Sequence, residues 1–77
     1  MKIKVKLFGS LADVVGSTEL TMEDVHDSEE LCKQFRQSYE AAKDINMLVA
    51  VNRSIHPETY VFRDTDEIAL LPPFSGG

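Results

Sequence analysis

The chain has 77 residues, enough for one small domain and one hydrophobic core. Eight Lys and Arg stand against thirteen Asp and Glu, a formal net charge of −5 at pH 7. That balance excludes a nucleic-acid binder, because neutralising phosphates takes a cationic surplus. Hydrophobic residues at 43% and charged residues at 27% are ordinary for a folded domain and unlike a disordered chain. The longest apolar run, Met47 to Val51, is far short of the roughly 20 residues that span a bilayer, so no membrane segment is expected. The first residues alternate lysine with apolar side chains and offer no signal-peptide core. Cys32 has no partner for an internal disulfide, which points to a reduced, cytoplasmic protein.

Along the chain, Ile3, Val5 and Leu7 alternate with Lys2, Lys4, Lys6 and Phe8, the period of a half-buried strand. Gly9-Ser10 ends it. Leu11 to Val15 reads as one or two helical turns stopped by Gly16, and Thr18 to Met22 as a second strand paired with the first. Asp27 with Glu30 three residues later is a capping-box pattern. Leu31, Cys32, Phe35, Tyr39 and Ala42 then fall on one stripe of a helix packed on one sheet face. Lys43 to Asn46 is the exit loop. Leu48 to Asn52 reads as a buried strand, and Arg53 to Asp66 as polar and irregular, with Tyr60-Val61-Phe62 as a short edge strand or turn. Glu67 to Leu71 is the last strand, ended by Pro72-Pro73.

The expected architecture is α+β, with one main helix on one face of a mixed four- to five-stranded sheet. A strand–strand–helix–strand–strand order of this size suggests the β-grasp, or ubiquitin-like, fold. The expected core is Ile3, Val5, Leu7, Leu20, Leu31, Phe35, Val49, Val51, Ile68 and Leu70. Residues 1–73 form the domain, and 74–77 a flexible C-terminal tail.

The side chains supply no active site. His26 and His56 have no partner at recognisable spacing, and Cys32 shares the apolar stripe of the helix, where a free thiol is a small hydrophobe. Asp27, Glu29 and Glu30 suit capping and the helix dipole. No metal-ligand cluster or phosphate-binding glycine loop occurs. Half of the four glycines are instead the last two residues, Gly76 and Gly77. Lacking Cβ atoms, such an end can thread a channel too narrow for any other residue. The four residues from Phe74 extend about 13–14 Å. They can deliver the chain's own α-carboxyl group into another protein's active site. With a pKa near 3.5 that group is an anion at neutral pH and a poor electrophile, so a partner that uses ATP must activate it. Attack by sulfur would then give a thiocarboxylate, and attack by an amine an isopeptide. The tail alone does not choose between them.

Val5-Lys6-Leu7-Phe8-Gly9-Ser10-Leu11 with Gly16, Val49-Ala50-Val51-Asn52, and Asp66-Glu67-Ile68-Ala69-Leu70-Leu71-Pro72-Pro73-Phe74-Ser75-Gly76-Gly77 together resemble the small-subunit family of molybdopterin synthases. The resemblance covers essentially the whole chain, and its specific part is the C-terminal segment. It implies a sulfur carrier with no bound cofactor and no catalysis of its own. In that family an E1-like adenylyltransferase activates the terminal carboxylate, here that of Gly77. The large subunit then takes the thiocarboxylate tail and passes its sulfur to cyclic pyranopterin monophosphate, in an assembly of two small and two large subunits. Ala12 stands where relatives often carry arginine, Thr65 where a glycine is usual, and Phe74 where valine is common. The closest alternatives are the sulfur carrier of thiamine (thiazole) biosynthesis and a ubiquitin-like protein modifier. Pro72-Pro73 and the chain length favour the first reading.

If Ile68 and Leu70 face the helix, Phe8, Ala69 and Leu71 face away from it near the tail. Phe8, Leu71, Pro73, Phe74 and Ser75 are therefore the expected partner-binding residues, Gly77 carries the reacting group, and Gly76 threads the channel.

Overall fold

The computed structural model describes residues 2–73. The expected tail, with Phe74, Ser75, Gly76 and Gly77, lies outside the described residues. Five strands form one mixed sheet: β1 (Lys2–Leu7), β2 (Glu19–Glu23), β3 (Leu48–Val51), β4 (Ser54–Ile55) and β5 (Ile68–Leu71). Their order across the sheet is β2-β1-β5-β3-β4. β1 and β5 pair in parallel through Val5–Ile68, Lys6–Ala69 and Leu7–Leu70, and the other pairings are antiparallel. The helix α1 (Ser10–Val15) follows β1, and α2 (Ser28–Ser38) crosses one face of the sheet. This is the β-grasp architecture that the element order suggested.

The strict alternation of β1 survives intact, with Ile3, Val5 and Leu7 buried and the three lysines exposed. In β5, Ile68 and Leu70 are buried while Ala69 and Leu71 are half-buried, so the face assignment holds there too. α2 sets Leu31 and Phe35 into the core, where both are fully buried. The core also takes Leu11, Met22, Val25, Ala42 and Phe62, whereas the expected Leu20 only packs partly buried against it. Both lie on the inner face of β2, Met22 opposite Ile3 and Leu20 opposite Val5, but only Met22 is buried.

Four local expectations need correction. The Asp27 carboxylate accepts from the Glu30 N–H at 2.8 Å, as a cap should. The Glu30 carboxylate, however, accepts from the His26 N–H at 2.8 Å rather than from the cap residue itself. Asp27 is engaged instead in a β-bridge to Val61. Second, Tyr60-Val61-Phe62 does not edge the sheet. It straps the entrance to α2: Ser28 N–H donates to Tyr60 O, Tyr60 N–H to Ser28 Oγ, and Phe62 N–H to His26 O, at 2.8–2.9 Å. That strap drives the Phe62 ring into the core. Third, the short edge strand is Ser54–Ile55, inside the segment read as irregular. α2 also ends one turn early, at Tyr39, whose backbone is extended. Ala42 reaches the core from a separate 3-10 turn, Glu40–Ala42.

The β3–β4 hairpin turns on Asn52 and Arg53, both with positive φ (52° and 69°), the geometry of a type I′ turn. Asn52 tolerates that region because its side chain bonds locally and to the next loop. Its amide donates to Asp66 Oδ1 at 2.9 Å, and its carbonyl oxygen accepts from the Glu67 N–H at 3.0 Å. The turn is thereby locked to the residues that launch β5. Asn52→Ala removes both bonds and strains the turn, and should cost about 2 kcal/mol in urea unfolding. Asn52→Gly restores the φ preference and should cost about half as much.

The Arg63 N–H donating to Asp66 at 2.7 Å, then the Asn52 amide and the Tyr60 hydroxyl, hold the Asp66 carboxyl below its ordinary range. A carboxylate with a lowered folded-state pKa adds stability above its unfolded pKa. It loses that contribution as pH falls through the folded value. Between about pH 4 and pH 2, the melting temperature of the wild type should therefore fall more steeply than that of Asp66→Asn.

Candidate functional site

The outer face of the sheet, opposite α2, gathers apolar residues around the end of β5. Ala50 and Ala69 are paired neighbours in β3 and β5 and form a shallow floor. Phe8, Ile55 and Leu71 rise around it, and the groove they enclose has a volume of about 330 Å³. Phe8 and Ile55 are each 47% exposed, far more than a packing role would leave them. The rim is charged. Lys6 Nζ lies 3.0 Å from Glu67 Oε2, and Arg53 lies 3.9 Å from the same carboxylate. The Lys6 hydrogen bond, with its charge, keeps the Glu67 carboxyl below the usual range, so the rim is ionised at neutral pH.

Each residue arrives by a different local cause. Phe8 follows the last core residue of β1 and takes the outward phase of its alternation, and its N–H donates to Leu70 O at 3.2 Å. Leu71 takes the same phase at the end of β5. Ile55 comes from β4, and sequence reading missed it because a two-residue strand has no periodicity to detect. Its only signal was an isolated branched apolar residue between Ser54 and His56 in a polar stretch. Of the expected partner-binding residues, Phe8 and Leu71 thus share one groove, and Pro73 is exposed just beyond β5.

The base of the tail is fixed by Gly9. Its φ of 57° and ψ of −134° fall in a region that side chains rarely enter. A Cβ there would stand 3.0 Å from Pro72 Cγ and 3.5 Å from its Cδ. Gly9 O also accepts the Ala12 N–H at 3.1 Å, so one residue turns the chain into α1 and seats Pro72 at the end of the domain. Elsewhere among the described residues nothing resembles a catalytic centre. His26 contacts Glu30, and His56 stacks on Tyr60 at a centroid distance of 4.6 Å. Burial pushes the Cys32 thiol up, against the smaller opposing effect of Arg36, so it is no ready nucleophile. Among the described residues no cluster of three His, Cys, Asp or Glu could hold a metal ion, and no helix is long and apolar enough to cross a membrane.

A model of the ThiS family matches residues 5–77. The chain belongs to the ThiS family. Two relatives, each named molybdopterin synthase sulfur carrier subunit, align over all of it. That of Mycobacterium tuberculosis is 30% identical and covered over 99% of its own length, and that of Chlamydomonas reinhardtii is 32% identical and covered completely. Among solved structures, small archaeal modifier protein 1 from Methanosarcina acetivorans superposes with a TM-score of 0.78 at 26% identity. The match covers 99% of this chain and 96% of that one. A chain in the complex of subunits 1 and 2 of molybdopterin-converting factor from Helicobacter pylori is also 26% identical, with full coverage of both chains and a TM-score of 0.68.

In this ThiS-family chain, Gly9→Ala should lower stability by about 2 kcal/mol in urea unfolding, the cost of forcing a side chain into that backbone region. Adding Pro72→Ala should recover only the part due to the crowded ring. Full recovery would show that the contact, not the backbone angle, demands glycine.

Proposed function

We propose that this protein is the sulfur-carrier subunit of a molybdopterin synthase, acting in the cytoplasm and non-catalytic by itself. The observation that carries the reading is the family match, which runs through Gly76 to Gly77 itself and is joined by two full-length relatives named as sulfur carriers. The outer-sheet groove beside the base of the tail supports it, because an exposed apolar patch next to a reactive end suits a docking handle.

In this reading the α-carboxylate of Gly77 is the working group. An E1-like adenylyltransferase supplies ATP. The carboxylate oxygen attacks the α-phosphorus, pyrophosphate leaves, and an acyl adenylate results. A sulfur donor displaces AMP and leaves a thiocarboxylate. Gly76 and Gly77, bare of side chains, thread the large subunit's pocket, while Phe8, Leu71, Pro73, Phe74 and Ser75 hold the body against its mouth. There the sulfur passes to cyclic pyranopterin monophosphate, and Gly77 returns as a carboxylate with its oxygen restored from water. The likeness to one chain of the two-subunit Helicobacter pylori complex supports a large-subunit partner, and a heterotetramer of two small and two large subunits is the assembly proposed.

The likeness to small archaeal modifier protein 1 favours a second reading, in which the activated end is joined to lysine amines of other proteins. Intact-mass measurement on protein from its native host separates the two. The first reading expects a population heavier by the difference between one sulfur and one oxygen atom. The second expects adducts with larger proteins and no such exchange, and a pull-down recovering a thiazole synthase would move the carrier to thiamine biosynthesis.

Two variants probe the mechanism. Adding one residue after Gly77 displaces the reacting carbonyl and should abolish sulfur transfer with the melting temperature unchanged. Leu71→Glu places a charge in the groove and should weaken binding to the large subunit by about tenfold or more, measured by calorimetry, without unfolding the domain.

A further inference from the structure

We infer that the solvent-facing side of α2 is a second docking surface, which takes an acidic segment of a partner protein. Between α2 and the chain that leaves the 3-10 turn runs a groove of about 560 Å³, lined by Glu29, Cys32, Lys33, Arg36, Gln37 and Lys43. It holds three of the chain's eight Lys and Arg residues in a molecule whose net charge is −5. It lies on the helix layer, across the molecule from the groove of Phe8 and Leu71. It is therefore open when that face is covered, and the inference does not depend on the chemistry of the tail.

Convergence on one groove distinguishes Lys33, Arg36 and Lys43 from the other cations. On the sheet, Lys6 and Arg53 both reach Glu67, whereas Lys2 and Lys4 lie along an open strand rather than in a groove. The third ion pair among the described residues joins His26 to Glu30. Lys33, Arg36 and Lys43 therefore meet no carboxylate within ion-pair distance among the described residues. Glu29, one turn before Lys33 and placed to pair with it, instead accepts from the Thr59 hydroxyl at 3.4 Å. Arg36 is held by a bond from Nη2 to Ile45 O at 2.9 Å, which fixes the guanidinium at the groove. That bond and its place in the last helical turn account for Arg36 alone. Lys33 in mid-helix and Lys43 beyond the 3-10 turn gain nothing from the dipole.

The floor is apolar. The half-buried Cys32 thiol, kept neutral by burial, and the methylene stems of the two lysines and Arg36 form it. Cations over an apolar floor fit carboxylate side chains interleaved with apolar ones. A nucleic acid asks for a cationic track along many phosphates, and a lipid surface for a larger basic cluster. A compact site with three cations in an acidic molecule provides neither.

The test is fluorescence anisotropy of a labelled peptide of alternating glutamate and leucine, titrated with the full chain at about 150 mM salt. Saturable binding is expected. Lys33→Glu/Lys43→Glu should weaken it by about tenfold or more, whereas Lys2→Glu/Lys4→Glu on the sheet should leave it within about twofold. A melt by circular dichroism checks that both variants fold. The Lys33→Glu/Lys43→Glu variant should in turn bind a lysine–leucine peptide that the wild type ignores. No saturable binding by the wild type, equal loss in the sheet variant, or tighter binding of oligouridylate or phosphatidylserine vesicles than of the peptide would overturn the inference.

Discussion

The parallel pairing of β1 with β5 is the constraint on which the rest of this molecule depends. It brings together two segments more than sixty positions apart in a chain of 77 residues. On the inner side it stacks Val5, Leu7, Ile68 and Leu70 beneath α2, all almost fully buried. On the outer side the same register sets Lys6 beside Ala69 and leaves Phe8 and Leu71 flanking one groove. Because side chains alternate along a strand, a one-residue slip would exchange these faces and bury Lys6. The core and the candidate docking face are thus two consequences of one register.

That register is secured at its ends rather than along its length. Asn52 ties the β3–β4 turn to Asp66 and Glu67, immediately before β5 begins. Gly9 receives Pro72 immediately after β5 ends. Parallel pairs need long crossovers, and here most of the chain forms that crossover. Two short-range locks at the start and finish of β5 limit how it can slide. They also fix where β5 ends, at Leu71 before Pro72-Pro73.

The two surfaces differ in physical character. The outer-sheet groove is apolar with a self-neutralised rim, since Lys6 and Arg53 share Glu67. An apolar surface of this kind binds by displacing water and tolerates salt. The α2 groove carries cations without partners among the described residues. A charged surface of this kind binds electrostatically and more weakly as salt rises.

The sequence by itself determined the strands with clean alternation, the capped helix, and the end of β5 at Pro72-Pro73. In each of these the local pattern and the final burial agree. It also determined the family, whose model matches residues 5–77. Tertiary structure alone decided the rest. Tyr60 to Phe62 has the composition of an edge strand, but its hydrogen-bonding groups are satisfied by His26 and Ser28 at the mouth of α2. Ser54–Ile55 becomes a strand only because the Asn52–Arg53 turn folds it onto β3. Ile55 joins Phe8 and Leu71 through strands far apart in the chain, and Lys43 joins Lys33 and Arg36 only because the chain breaks at Tyr39 and turns through Glu40–Ala42. Periodicity reports which way a side chain points from its own element. What it meets there depends on contacts that no local pattern encodes.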